Sequence, residues 1–383
     1  GYGGRFHKVP LAVTFSQDWS PDLEDPFNDK HSKPIENAQG QRQGTCVHCG
    51  NCPIGCQVKA KNTLDLNYIP WAEKHGAEVR PLHVVRYIEP EEGGPEGGGY
   101  RVYFDRIVDG ELIPGSESAR RVIVAAGSLG STELLLRCRD QYKSLPNLSR
   151  FLGRNWSSNG DFLTPARYEG RKISPTQGVT ISCAIDFLDE DESVPQFFIE
   201  EGGAPNVLRN YLEAMKSAKP KSRVLHAILK ELIELVGPAD PFDSVMPWFA
   251  QGIDAANGRL YLGRPWYAFW RKKQLRMDWE IERSKPVIAA IINMHERLSA
   301  ATGGKPQVPL FWKAFKNLIT PHPLGGCNMG KDAANGVVNH RGEVFGYPNL
   351  FVADGAIVPE AIGLNPSRTI AALAERIAAL ITI

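Results

Sequence analysis

The chain of 383 residues carries 44 basic against 43 acidic side chains, a formal net charge of +1, and 42% hydrophobic residues. That size allows a sizeable core, expected in two domains. Without a basic block, nucleic acid is not an expected partner, and no apolar run approaches the ~20 residues of a transmembrane segment. Seven cysteines, without the even spacing of a secreted disulfide framework, and no visible secretory signal favour a cytoplasmic or peripheral-membrane location over secretion.

Gly1 to Thr45 is rich in Gly, Pro, Asp, Asn and Lys and reads as an irregular surface arm, apart from Leu11 to Phe15. Next comes Cys46-x2-Cys49-x2-Cys52-x3-Cys56. Thiolates at these intervals can converge on an iron–sulfur cluster. Yet Gln57 follows the last cysteine, Pro53 lies inside the run and no second run exists, so packed free thiols or a zinc knot stand beside that reading. Thr63 to Lys74 has helical spacing with a break at Pro70. Glu78 to Ile88 and Tyr100 to Ile107 read as strands around a turn at Gly93 to Gly99. Arg121 to Ala126 is a buried strand, Gly127 to Gly130 a turn, and Ser131 to Arg137 a helix; strand, glycine turn and helix form a phosphate-cradling geometry.

Thr180–Phe187, Gln196–Glu200, Met246–Gln251, Arg259–Leu262 and Leu275–Ile281 have strand-like composition and predict a mostly antiparallel sheet. The dense aromatics there (Phe197, Phe198, Trp248, Phe249, Tyr261, Trp266, Tyr267, Phe269, Trp270, Trp279) read either as an apolar pocket for a bulky alcohol or as ordinary packing. Ser222 to Val236 is amphipathic, a core-packed helix or a lid. Lys285 to Ala301 is another helix, with His295 an ordinary member of it. His322 precedes the pair Gly325-Gly326, where backbone can approach a ligand closely. The run Asn349 to Ala353 reads as a buried strand ending on Asp354-Gly355, and Asn365-Pro366-Ser367 opens the helical segment Thr369 to Ile381, whose N-terminus favours an electron-rich ligand.

The blocks His322 to Cys327, Gly346 to Gly355, Asn365-Pro366, Ala371 to Arg376 and Val122 to Leu136, and more loosely Leu145 to Leu148 with Asn159-Gly160, closely resemble the glucose–methanol–choline (GMC) flavin oxidoreductases. Within that family they are most similar to the bacterial cholesterol oxidases; the likeness is faint between about Ile173 and Thr302. The resemblance implies an α/β fold: a Rossmann-like FAD-binding domain, incomplete here, over 58–155 and 340–383, and a substrate domain on a mostly antiparallel sheet over 1–57 and 156–339. It places His322 and Asn365 on the substrate side of the flavin. Asp354, Gly355, Pro366 and Ser367 fall where the family holds the isoalloxazine and ribityl chain, and Val85, Ala126 and Gly127 near the adenosine half. The first strand–G-x-G-x-x-G–helix of the family is not in this chain, so an upstream FAD-binding segment or subunit is the expected partner and the chain is expected to be a fragment, a processed chain or part of a split protein.

Oxidising an alcohol needs a group for the hydroxyl proton and a cofactor for the hydride, since no side chain accepts one. His322 is the candidate base and Asn365 the candidate orienting amide, with FAD as cofactor and a small-molecule alcohol, including a sterol, as substrate. Two other readings stay open: an electron-transfer flavoprotein subunit with an iron–sulfur cluster at Cys46, Cys49, Cys52 and Cys56, and an inactive fragment. Steroid oxidases of the family that shift the ring double bond use a substrate-domain carboxylate. A loose alignment puts Arg209 there, with Glu200 and Glu201 upstream as alternatives, so a sterol is expected to be oxidised without efficient isomerisation.

Overall fold

A computed structural model describes residues 4–92, 98–191, 193–205, 243–264, 270, 272–309, 312–313 and 318–381. The expectations at Gly93 to Gly97, Arg209, Ser222–Val236, Trp266, Tyr267 and Phe269 lie outside the described residues. In chain order the elements are β1 (Phe6–Lys8), β2 (Pro34–Glu36), β3 (Arg42–Gly44), α1 (Tyr68–Lys74), β4 (His83–Glu91), β5 (Gly99–Val108), β6 (Glu111–Ala119), β7 (Val122–Val124), α2 (Gly127–Leu136), β8 (Phe162–Tyr168), β9 (Cys183–Asp186), β10 (Phe197–Glu201), β11 (Val245–Gly252), β12 (Arg259–Gly263), β13 (Gln274–Asp278), α3 (Lys285–Thr302), β14 (Gly304–Pro306), β15 (Leu350–Val352) and α4 (Ser367–Ile381).

The largest sheet has six strands in the order β1-β9-β10-β11-β8-β14, and its strand pairs are antiparallel. Side chains alternate across it with period two. Phe162 of β8, Phe197 and Ile199 of β10, and Ala250 of β11 pack in one buried cluster with Val287, Ile288 and Ile291 of α3. The alternate residues Phe198, Glu200, Phe249 and Gln251 therefore belong to the opposite face, where a cleft lies. Helix α3 starts with a proline in its first turn and ends at Gly303, whose φ of +82° suits a left-handed cap. The N-terminal arm is more than a surface loop: β1 pairs with β9 at the sheet edge, and Val9 to Val13 line the cleft. Three paired residues with exposed side chains leave no periodic trace in the sequence.

The second buried cluster unites Ile88, Tyr100, Val124, Leu135, Leu136, Leu350, Val352 and Ile377. It lies among the meander β4-β5-β6, the parallel pair β7–β15, α2 and α4. The mixed α/β architecture is that anticipated from the sequence. Three local readings need correction. Strand β4 begins at His83 rather than Glu78, because Leu82 just before it has φ +57°. Strand β6 was unanticipated: it carries Pro114 and Gly115, is largely exposed, and follows a turn at Asp109-Gly110 with φ of 52° and 85°. An Asp-Gly pair at positive φ is a two-residue hairpin signal. Helix α2 begins at Gly127, not Ser131, because Asp354 caps it from a distant segment: the Asp354 carboxylate accepts from Gly127 N–H at 2.9 Å and from the Ser131 hydroxyl.

His295 of α3 is fully buried, and its ring, although near the Phe249 backbone, makes no hydrogen bond of normal geometry. Burial pushes its pKa down from 6.5 to about 3, so it is neutral in the fold. The unfolded chain protonates it first, so stability is lost as pH falls from about 6.5 towards about 3. His295→Leu should raise the urea midpoint at neutral pH by about 1 kcal/mol equivalent and blunt the acid destabilisation; urea titrations at several pH values test both effects.

Candidate active site

The site is assembled on the segment Ser157 to Asp161. Asp254, nearly buried, accepts at Oδ1 from Ser157 Oγ at 2.8 Å and Ala256 N–H at 2.9 Å, and at Oδ2 from Ser158 N–H and Oγ, both at 2.9 Å. A buried acceptor with this many donors fixes the backbone that supplies them. Gly160 then passes against β11: a Cβ there would sit 2.4 Å from the Gly252 carbonyl oxygen, and its φ is +63°. Ser157 and Leu324 exchange backbone hydrogen bonds of 3.0 and 3.1 Å, which lays the His322 segment alongside. Asn159 reaches the other way. Its Oδ1 accepts from Ile362 and Gly363 N–H, and its Nδ2 donates to the Leu364 carbonyl, each at 3.0 Å. The loop before Asn365 is thereby tied to the segment that positions His322.

His322 Nδ1 lies 2.9 Å from Asp161 Oδ1, and Asp161 is completely buried. Asp161 Oδ2 also accepts from the Thr320 hydroxyl at 2.5 Å and from His322 N–H at 3.2 Å. Burial raises the Asp161 pKa, and the His322 contacts oppose that shift. Asn365 Nδ2 donates to Glu200 Oε1, while Gln251 Nε2 donates to Glu200 Oε2 at 3.3 Å. Glu200 is 1% exposed, and desolvation raises its pKa, countered by its bonds to Gln251 and Asn365 and by the charge of His322. His322, Glu200 and Asn365 line one cleft of about 620 Å³. Its other walls are largely apolar, from Leu11 and Val13 of the arm, Val179, Ile181 and Phe198, with Lys61 among them. The ring of Phe249 stands 6.1 Å from that of His322.

A GMC oxidoreductase family profile, that of the C-terminal domain, matches residues 272–374. A cholesterol oxidase of Acinetobacter baumannii is 29% identical over 395 residues, covering 98% of this chain and 67% of its own length. One of Mycobacterium tuberculosis is 28% identical over 401 residues, covering 99% and 66%. Residues 272–374 thus carry a GMC oxidoreductase C-terminal domain, and the chain as a whole is similar to these cholesterol oxidases. It spans about two thirds of the length of those curated relatives. Two solved GMC-type structures share its fold: a pyridoxine 4-oxidase from Mesorbium loti (19% identical, TM-score 0.50, over 78% of this chain and 57% of that one) and a formate oxidase from Aspergillus oryzae (13%, 0.54, 82% and 62%).

GMC oxidoreductases are FAD flavoproteins, and the family residues named from the sequence fall into two adjoining groups and one outlier. Pro366 and Ser367 line the cleft beside Asn365 at the start of α4. Ala126, Gly127, Asp354 and Gly355 meet at the α2 N-terminus, where Asp354 serves as a brace with both oxygens engaged, Oδ1 by Ala356 N–H. Gly355 joins the two groups: a Cβ on it would lie 3.2 Å from Ile370 of α4 and 3.5 Å from the Pro323 carbonyl oxygen. No Cβ contact would arise at Gly127, whose φ is +76°, so the turn has room for a ligand to approach its backbone. Val85 stands apart, exposed on β4 next to a bulge. The residues present thus fit a flavin: backbone open to a ligand at Gly127, beside a cleft that holds Asn365, Pro366 and Ser367.

The four cysteines of the run are free, and each lies close enough to influence Cys46 electrostatically. Cys46 and Cys56 each accept a backbone N–H, from His48 at 3.3 Å and Ala60 at 3.1 Å. Among the described residues no group of three or more His, Cys, Asp or Glu could hold a metal ion, so the geometry gives an iron–sulfur cluster no support. Burial pushes the Cys46 thiol up to about 11, which suits a packed thiol. Of the aromatics, Phe198 lines the cleft and Phe249 faces His322, whereas Phe197 and Trp248 pack towards α3 and Trp279 stacks edge-on against Trp156. Among the described residues no helix is long and apolar enough to cross a membrane.

Sequence reasoning left out Asp161, Thr320, Asp254, Gln251 and Lys61. Asp161 directly follows Asn159-Gly160, the pair already singled out, and that adjacency was the available signal. Two outcomes follow from this geometry. Asn159→Ala forfeits three hydrogen bonds and puts alanine at φ +56°, so chemical denaturation should show a loss of about 3 kcal/mol, at about 1 kcal/mol per bond. Glu200 has a raised folded pKa, so the fold binds its proton more tightly than the unfolded chain and the wild type loses stability as pH rises above about 4.3. Glu200→Gln lacks that loss; its melting temperature should gain on the wild type as pH rises above about 4.3 in thermal scans.

Proposed function

We propose that this chain supplies the substrate side of an FAD-dependent alcohol oxidation, CH–OH to ketone or aldehyde. The observation that carries the proposal is that His322 and Asn365 line one cleft, each held by a buried carboxylate. FAD, when bound, takes the hydride from the alcohol carbon. His322 accepts the hydroxyl proton at the ring nitrogen that Asp161 leaves free. Asn365 uses one N–H on Glu200 and retains a second N–H and its carbonyl oxygen to orient the hydroxyl. The apolar walls receive the carbon body and exclude water from the reacting end.

The FAD half is proposed to be completed by an upstream segment or a partner subunit. The pair β7–β15 is a two-stranded parallel sheet, and parallel sheets are normally covered on both faces. Here Ile123 of β7 and Leu129 of α2 are 51% and 43% exposed, a face suited to a further strand and helix. The division into FAD and substrate domains set out from the sequence is proposed on the same grounds.

The named relatives make a sterol the first alcohol to test. A sterol in this cleft meets Glu200, a buried carboxylate of raised pKa. Arg209, on which the expectation of oxidation without isomerisation rests, lies outside the described residues; of the alternatives named beside it, Glu200 is the one we propose carries the proton that moves the ring double bond. In the FAD-loaded full-length protein, His322→Gln should slow anaerobic flavin reduction by cholesterol about 10²–10⁴-fold, the usual worth of a general base, with flavin content unchanged. Unaltered reduction kinetics would remove His322 from the mechanism. Glu200→Gln should accumulate the unshifted 5-en-3-one where the wild type forms the conjugated 4-en-3-one, read by product chromatography.

A further inference from the structure

The cleft histidine is held by a group that the family resemblance did not assign. Neutral imidazole carries its proton on one nitrogen only, and the hydrogen bond made by the other end selects which. At His322 that partner is a carboxylate oxygen, 2.9 Å from Nδ1. An ionised carboxylate accepts and cannot donate, so it selects the Nδ1–H form. The acceptor is itself held fast. Asp161 is wholly buried, its second oxygen takes the Thr320 hydroxyl and the His322 backbone N–H, and its own N–H donates to the Ser158 carbonyl at 3.3 Å. No Lys or Arg is paired with it among the described residues. The His322 backbone and ring both point at the same side chain, which restricts rotation of the ring as well as its protonation site.

We propose that Asp161 is a positioning residue that fixes His322 in the Nδ1–H tautomer, leaving Nε2 as an unprotonated acceptor directed at the cleft. The kinetic consequence rests on the oxidation reading above; the tautomer does not. Thr320 is the second support, because its hydroxyl fixes the oxygen of Asp161 that the ring does not use. The opposite arrangement, a protonated Asp161 donating to a bare Nδ1, would place a hydrogen on Nε2 and leave the cleft with a donor in place of an acceptor.

The test uses full-length, FAD-loaded protein labelled with 15N-histidine, with His322→Gln to assign the signal by solid-state NMR. The wild type at neutral pH should show a protonated Nδ1 and a bare Nε2. Asp161→Asn replaces a pure acceptor by an amide that can donate to Nδ1, so the Nε2–H signal should grow. In the same variant kcat should fall about 10²–10⁴-fold while KM changes by less than about threefold, a split that general loosening of the fold would not produce. Where Asp161→Asn does not fold, Thr320→Val takes its place and should give a mixture of tautomers. An Nε2–H tautomer in the wild type, or variants with unchanged tautomer and unchanged kcat, would overturn the assignment. A wild-type Nδ1–H tautomer combined with undiminished activity of His322→Gln would instead leave the assignment standing and defeat the proposed oxidation mechanism.

Discussion

The side-chain amide of Asn159 is the joint on which the site depends. Three backbone groups of one loop, Ile362 N–H, Gly363 N–H and the Leu364 carbonyl, are bound by it. The same short segment contributes Asp161 to His322 and the Ser157 backbone to Leu324. Two stretches distant in the chain are thus set against each other through five residues. Those residues are in turn pinned by Asp254, whose carboxylate collects their donors. Side-chain amides and carboxylates do this work because the backbone here is irregular: it cannot satisfy its own polar groups and needs acceptors from elsewhere.

Both carboxylates at the cleft are buried against one antiparallel sheet, and each costs free energy when ionised without full compensation. Each is therefore surrounded by donors instead of cations, Asp161 by a hydroxyl, an imidazole and a backbone N–H, Glu200 by two amides. Neutral donors orient a carboxylate without neutralising it, so both sides of the cleft keep a negative potential when ionised. The period-two alternation of β10 and β11 makes this arrangement compatible with a dry core on the other face: Phe197 and Ile199 pack towards α3 while Phe198 and Glu200 face the cleft.

Much of this was legible in the sequence where a residue type has a narrow physical meaning. Strands β10, β11 and β12 and helix α3 came within a residue or two of their observed bounds, because apolar runs and helical spacing report burial directly. The blocks at His322 and Asn365 were visible because glycines and prolines flank them. What remained hidden was support from afar. An aspartate reads as a solvated loop residue unless its neighbours in space are known, so Asp161, Asp254 and the capping role of Asp354 gave no signal of their own. Strand β6 escaped because Pro114 and Gly115 interrupt it and it pairs at an exposed edge. Glu200, Glu201 and Arg209 stayed alternatives because an alignment through a faintly similar stretch cannot fix single positions, and Arg209 lies outside the described residues.

The segment that follows the short edge strand β1 gives the cleft a second kind of wall. The polar end is seated on two buried carboxylates, Glu200 of the inner strand β10 and Asp161 just ahead of β8. Part of the apolar wall, Val9 to Val13, hangs from three paired residues at the sheet margin and a single bridge from Val13 to Lys61. Changes in this strip alter the shape offered to a carbon skeleton and leave the groups around His322 untouched. On the proposed function, selecting a carbon body and handling a hydroxyl can therefore drift independently: the first is written in a replaceable hem, the second in the groups held around His322 and Glu200.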